Sequence, residues 1–429
     1  MKSLVVLGAG TAGTMVVNKL RRKLPRTEWT VTVVDPATTH YYQPGFLFLP
    51  FGIYSPDQVA KPVRPTIRPG IEVVQQAVER VDAPARTVHL ADGATLTYDY
   101  LVIATGTTPR PDETPGLAEA LGTTVHEFFT FEGATALAAA LAEFEGGRVV
   151  VHVAEMPIKC PVAPLEFVFL ADAYFRRRGI RDKVELTYAT PLPGAFTKPV
   201  SAARLGDMLE RRDIALEPDF VVASVDGEAG TLESYDERQV PFDLLVTVPV
   251  NMGADYVARS GLGDELNYVP VDKHTLLAKA DDRIFAIGDA TDAPASKAGS
   301  VAHFEADVFV PNFLAHVAGK PMPESFDGHA NCFVESGDGK ALLIDFNYDT
   351  EPLPGTYPLP VVGPMRLLEE SRLNHWGKLA FRHLYWHMLL PGRRLPVPTH
   401  MSMTGKRRPP RPPAGPAATT DAVRIPSGL

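Results

Sequence analysis

Chemistry in this chain of 429 residues is sought first at its two cysteines, Cys160 and Cys332. Cys160 lies in Pro157-Ile158-Lys159-Cys160-Pro161-Val162-Ala163-Pro164, between an apolar run, 147–153, and a stretch of helical pattern, 165–177. An isolated cysteine is ordinarily an inert core thiol. One that sits just before a helix N-terminus has a lowered pKa and a larger thiolate fraction. A redox role is therefore expected for Cys160 ahead of an inert one. Cys332, in Asn331-Cys332-Phe333-Val334-Glu335, falls on the first strand of a hairpin that turns at Gly337-Asp338-Gly339. Two cysteines cannot form a disulfide framework. They are either inert core thiols or one functional pair, and spacing alone does not show that their Cα atoms come within disulfide reach.

The elements that must position these thiols begin at the N-terminus. The apolar run Leu4-Val5-Val6-Leu7 leads into Gly8-Ala9-Gly10-Thr11-Ala12-Gly13, then helical sequence, then Val31-Thr32-Val33-Val34 ending at Asp35. This order of strand, glycine turn, helix, strand and acid binds the ADP half of a dinucleotide. Gly8 makes the tight turn, Gly10 lets the backbone approach a diphosphate, and Gly13 lets helix and strand pack closely. The helix N-terminus supplies N–H donors and partial positive charge, and Asp35 accepts from ribose hydroxyls. The aromatic loop His40-Tyr41-Tyr42-Gln43-Pro44-Gly45 suits the wall of a flat-ring pocket or plain core. The stretches 71–78 and 87–90 read as strands of a small meander.

Three later strands end in small residues. Tyr98 to Gly106 closes at Ala104-Thr105-Gly106, where backbone can come near a cofactor, and 242–249 is a near-echo. Arg283 to Ala290 ends in Gly288-Asp289, with Asp289 placed to hydrogen-bond a ribityl chain. Lys297, in the turn that follows, is either a solvated lysine or a cation that stabilises a reduced ring. Strand 147–153 should lead into a second glycine turn, for a nicotinamide dinucleotide. No glycine follows it, and Pro157, Pro161 and Pro164 lack the N–H donors a diphosphate needs. The domain is expected to keep its fold and lose its nicotinamide site, with Cys160 standing in that turn.

A hydrophobic content of 45% fits a globular chain, and a net charge of −9 gives no reason to expect nucleic acid. No apolar stretch is long enough for a transmembrane helix, no signal peptide is read at the N-terminus, and no metal site is expected. Residues 367–390 are amphipathic at helical period. Leu373, Trp376, Ala380, Phe381, Leu384 and Met388 share one face, and Arg372, His375, Lys378 and Arg382 the other. From 371 to 415 there are nine Lys or Arg and no Asp or Glu. With Trp376, Tyr385 and Trp386, this basic run favours an interfacial helix on an anionic membrane over one docked on the protein's own core. Residues 401–429 read as a disordered Pro/Arg-rich tail.

The fold class is α/β with two Rossmann-like domains, 1–110 with 275–320 and 111–274, then a C-terminal region, 321–400. Residues 1 to about 320 resemble the glutathione-reductase-like FAD superfamily. Tyr42-Gln43-Pro44, Pro157-Ile158-Lys159-Cys160, Ala163-Pro164, Asp172-Ala173-Tyr174-Phe175, Ser296-Lys297, Asn331-Cys332 and Leu384-Tyr385-Trp386-His387-Met388 together resemble the sulfide:quinone oxidoreductases.

That resemblance implies non-covalent FAD held by Gly8, Ala9, Gly10, Thr11, Ala12, Gly13, Asp35, Pro36, Gln43, Val78, Thr105, Gly106, Gly288, Asp289 and Lys297. It implies that Cys160 and Cys332 form the redox pair. Sulfide would leave a persulfide on one, and the other, as thiolate, would pass two electrons to the flavin. Glu166 is a candidate acid/base partner or an ordinary helix carboxylate. A membrane quinone would bind near Phe346 and Tyr385. Many bacterial members carry a third cysteine nearer the N-terminus than these two; here the neighbourhood Thr124-Val125-His126-Glu127 has none, so no flavin thioether is expected at that place. The sulfur acceptor stays open and a homo-oligomer is possible. Alternatives are a type II NADH:quinone oxidoreductase, the flavoprotein subunit of flavocytochrome c sulfide dehydrogenase, and a flavin-binding interaction protein without turnover.

Overall fold

A computed structural model describes residues 1–359, 363–395 and 397–408. The strand Lys2–Leu7 is the centre of a five-stranded parallel sheet. Trp29–Val34 and then Glu72–Val74 lie to one side, Tyr100–Ile103 and then Ile284–Ala286 to the other. Leu4 to Leu7 are buried on both faces, as a parallel strand covered by helices requires. The helix Thr11–Leu20 packs on the helix Gly299–Val317. The expected strand at 71–78 is in fact two pieces. Glu72–Val74 is the edge of the main sheet, and Val78–Asp82 opens a separate antiparallel meander.

A second parallel sheet has the order Val125–His126, Leu244–Val248, Gly147–Val153, Val184–Ala189, Ile214–Glu217. The helix Ala163–Arg178 follows its central strand, with Cys160 in the turn before it. A C-terminal sheet then pairs Ala330–Gly337, which carries Cys332, with Lys340–Phe346. Gly363–Leu367 and Gly355–Leu359 complete it.

The helix Arg372–Leu384 lies on this last sheet. Ser371 caps it by accepting from the Asn374 N–H, satisfying one orphan donor of the first turn. The Asn374 side chain is buried and donates to the carbonyls of Ala341 and Arg366. The polar side of this helix therefore faces inward. Asn374 and Lys378 are buried, and His375 reaches Glu335 at 2.9 Å. The apolar side faces outward, with Leu373 at 38%, Trp376 at 63% and Leu384 at 41% exposure. Two expected interfacial aromatics are not on that side. Tyr385 and Trp386 lie in a wide π-type turn, Tyr385–Leu389, and are buried.

The expected disorder of the tail is overturned for 401–408. Lys406 bonds Asp345, the Gly405 carbonyl accepts from Thr356 N at 3.0 Å, and Arg407 N donates to the Pro354 carbonyl at 2.8 Å. A buried carboxylate needs a cation, and the tail supplies it. The rest of that tail, 409–429, lies outside the described residues. Among the described residues no helix is long and apolar enough to cross a membrane.

Candidate active site

One cavity of about 810 Å³ runs from the glycine turn to the C-terminal helix, within the range of small-molecule sites. Its dinucleotide end fits the group the motif predicts. Gly8 has φ +98°, and a Cβ there would lie 2.5 Å from the Ala104 carbonyl oxygen. A Cβ on Gly13 would meet the Gly8 carbonyl oxygen at 1.9 Å, whereas one on Gly10 would meet nothing within 4 Å. Gly8 and Gly13 thus close the turn while Gly10 leaves the backbone open. The helix that begins at Thr11 has neither a capping side chain nor an acid in its first turn, so its first N–H groups are left for an anion.

Asp35 accepts from the N–H of Ala9 at 2.6 Å and of Ala37 at 2.7 Å, tying the acid to the turn. Ala9, Thr11, Ala12, Pro36, Val78, Thr105 and Gly106 line the same space, as do Gly8, Gly10 and Asp35. Gly13 does not; its role is the close helix–strand contact. The cradle fits the ADP half of a dinucleotide such as FAD.

Further along, Gln43 accepts from Lys159 Nζ at 3.1 Å. Gly288 donates its N–H to Glu305 at 2.6 Å, and burial pushes that carboxyl up to about 7. Asp289 is likewise raised by burial, with Lys297 and Lys159 opposing. The Lys297 ammonium donates to the carbonyls of Thr291 at 2.6 Å and Asp289 at 3.2 Å. An ammonium has three donors, so one remains. The Lys297 backbone carbonyl also accepts from Cys160 N at 2.6 Å, which fixes the cysteine turn to the lysine turn.

Cys160 and Cys332 both line this cavity and are free thiols. The expectation of a lowered Cys160 pKa is corrected. Burial pushes that thiol well up, Glu166 adds to the rise, and Lys378 opposes it. Cys332 is pushed up to about 12 by burial and then Glu166, again against Lys378. Desolvation in an apolar cavity outweighs one helix N-terminus.

Glu166 is fully buried. It pairs with Lys378 and accepts from Glu335 N at 2.6 Å, while its Oε2 has no hydrogen-bond partner. Burial carries Glu166 up to about 7 although Lys378 pulls it down. For Lys378 burial lowers the pKa, and Glu166 with Glu335 outweighs it, so the ammonium is held charged. Sequence reasoning placed Lys378 on the helix surface and missed this contact across 212 positions. The only local signal was a lysine in a helix whose other face was fully apolar.

Phe346 does not line the cavity. It is buried near the end of its strand, with Lys198 Nζ 5.6 Å from its ring centroid. Tyr385 does line it, but its hydroxyl is engaged by Thr11 at 2.8 Å and His40 at 2.6 Å. From the C-terminal helix, Lys378, Ala380, Phe381 and Leu384 form one wall. In the second domain, the turn after Gly147–Val153 has prolines where a nicotinamide cradle would present N–H groups.

The profile of the pyridine nucleotide-disulphide oxidoreductases matches residues 2–306. The chain belongs to that family. Among curated proteins it is similar to the mitochondrial sulfide:quinone oxidoreductase of Dictyostelium discoideum, at 28% identity over 91% of this chain and 86% of the relative. The mitochondrial sulfide:quinone oxidoreductase of Mus musculus is 24% identical, again over 91% and 86%. Among solved structures, the sulfide:quinone oxidoreductase of Aquifex aeolicus has the same fold, with TM-score 0.77, 22% identity and 92% of both chains covered.

Proposed function

We propose that this chain is a sulfide:quinone oxidoreductase that oxidises sulfide at Cys160 and Cys332 and passes two electrons by way of FAD to a membrane quinone. The observation that carries this reading is that both thiols open into the cavity that begins at the dinucleotide turn, in a chain whose second domain lacks a nicotinamide cradle. Bound FAD supplies a two-electron acceptor on the thiol side and a two-electron donor on the quinone side.

The residues present the following chemistry. In the oxidised pair, hydrosulfide attacks one sulfur, a new S–S bond forms as a persulfide, and the other cysteine leaves as a thiolate. In an apolar cavity that thiolate needs a cation, and Lys378 is the cation whose charge lowers both thiols. Glu166 Oε2 is free to hold the proton released when a thiol or hydrosulfide ionises. Anaerobic addition of sulfide should bleach the flavin absorbance, and NADH should not. Bleaching by NADH alone would overturn the reading in favour of an NADH:quinone enzyme.

With Glu166 near 7, its basic form fills in as pH rises through that value. The sulfide-driven rate of flavin reduction should therefore rise with pH across neutrality. Glu166→Gln should lower that rate roughly 10²-fold and remove its share of the inflection. Stopped-flow traces over about pH 6 to 8 read this, and a variant with the rate and profile of the parent would remove Glu166 from the proton path.

The outward stripe Leu373, Trp376, Ala380 and Leu384 is the membrane-docking face, with Arg372, Arg393 and Arg394 exposed beside it to meet anionic headgroups. Ala380 and Leu384 are at once exposed and part of the cavity wall. An apolar quinone thus enters from the bilayer beside this helix. The protein is peripheral, held by surface rather than by a span.

A further inference from the structure

His40 belongs to the aromatic loop after Asp35 and is buried. One ring nitrogen, Nδ1, is 3.0 Å from the carbonyl oxygen of Ala9 in the glycine turn. A carbonyl only accepts, so Nδ1 carries the proton. Burial lowers the imidazole to about 4, which leaves Nε2 bare at neutral pH. Nε2 lies 2.6 Å from the Tyr385 hydroxyl, which therefore donates to it. The Tyr385 oxygen in turn accepts from Thr11 Oγ1 at 2.8 Å. Three hydrogen bonds, all with assigned directions, form one chain from Ala9 through His40 and Tyr385 to Thr11.

Both ends of that chain are in the dinucleotide turn, and one of its two middle members, Tyr385, belongs to the C-terminal segment. The rings of Tyr42, 4.9 Å from Tyr385, and Trp386, 5.6 Å from His40, enclose it. Close by, Asn18 of the first helix donates to the Leu390 carbonyl at 2.6 Å, and Arg22 to that of Pro391 at 2.8 Å. The segment after the C-terminal helix is thus fastened along the first helix, and Tyr385 is the fastening that reaches the cofactor cradle.

We infer that His40 and Tyr385 are positioning residues for FAD, a latch through which the seating of the C-terminal helix and the binding of the diphosphate at the Ala9–Thr11 turn strengthen one another. Thr11 opens the helix whose N–H groups face the cavity, and its rotamer is fixed by the Tyr385 oxygen. The latch gives the turn its binding geometry before the cofactor arrives. By linkage, FAD stabilises the seated helix by the same factor that the seated helix stabilises FAD.

The experiment titrates FAD into deflavinated protein, with limited trypsin digestion read at the basic residues 372–394; neither sulfide nor quinone is used, so its outcome is separate from that of the proposed reaction. Tyr385→Phe, which keeps the ring and removes the hydroxyl, should weaken FAD binding about fivefold. Thr11→Val should do about the same, and the double variant should be little worse than either. FAD should slow cleavage at 372–394 in the parent protein and slow it less in Tyr385→Phe. Unchanged FAD affinity in Tyr385→Phe with full protection retained would overturn the latch. If the variants fail to fold, the parent still decides: cleavage at 372–394 that is equally fast with and without FAD overturns it, and slowing by FAD supports it.

Discussion

Cys160→Ser and Cys332→Ser should each abolish most sulfide-dependent flavin reduction, by on the order of 10³-fold or more, and the double variant should be little worse than either. The reason is the shared cavity. Each thiol is pushed up by burial and by Glu166, and pulled down by Lys378. Neither is an easy thiolate on its own. In the proposed reaction a sulfur bridge between them would avoid forming a thiolate until sulfide attacks it, and opening that bridge would need one sulfur to take the new bond and one to leave. Serine at either place would prevent the proposed bridge. The cradle of Gly8, Gly10, Asp35 and Lys297 is untouched, so flavin content and reduction by dithionite should survive in all three variants. Near-normal turnover of Cys332→Ser with sulfide and quinone would break the pairing and make Cys332 a wall residue.

The second large effect is expected at the membrane. Leu373→Asp with Trp376→Asp should strip the protein from anionic liposomes. Burial of a large apolar side chain is worth about 1.5–3 kcal/mol, so losing two such contacts weakens binding on the order of 10²-fold or more. Both residues are outward and neither lines the cavity, so reduction of the flavin by sulfide should continue while reduction of a bilayer quinone falls. Co-sedimentation with vesicles at low salt, followed by the two half-reactions, measures this. A double variant that still sediments with vesicles like the parent would place the docking face elsewhere. Truncating the chain before the helix is not an equivalent test, because it also removes Asn374, Lys378 and Tyr385 from the interior.

Local patterns carried the sequence reading furthest. The cradle from Leu4 to Asp35 is one contiguous βαβ unit, and the jobs of Gly8, Gly10 and Gly13 are set by backbone contacts within it and with the neighbouring Ala104 turn. The missing donors of the second turn are a property of the sequence itself, because Pro157, Pro161 and Pro164 have no N–H wherever the chain goes. The direction of the C-terminal helix was not. Periodicity separates Leu373 and Trp376 from Lys378, but it does not say which side meets the core. That depends on Glu166, far away in sequence, whose buried carboxylate draws Lys378 inward. The Cys160 pKa was misjudged for a related reason: a helix N-terminus is visible locally, whereas desolvation comes from the walls contributed by other segments. Phe346 shares a sheet face with Cys332 but lies outside the cavity, because the register pairs it with Ala330, two residues further along the strand, and the 401–408 tail was missed because its anchor, Asp345, is on another element.

The cavity takes its walls from residues as distant as Gly8 and Val397. A domain emerging from the ribosome folds from its N-terminus, so the glycine turn and its sheet can assemble early. The enclosure around the cofactor cannot. Until Tyr385 has been synthesised there is no latch on Thr11, and until Leu395 and Val397 have followed, the pocket stays open to water on that side. Enclosure of FAD is therefore expected late in the making of this protein, once nearly every described residue has left the ribosome. A chain interrupted shortly before the C-terminal helix would carry a well-formed dinucleotide motif and hold its flavin less tightly.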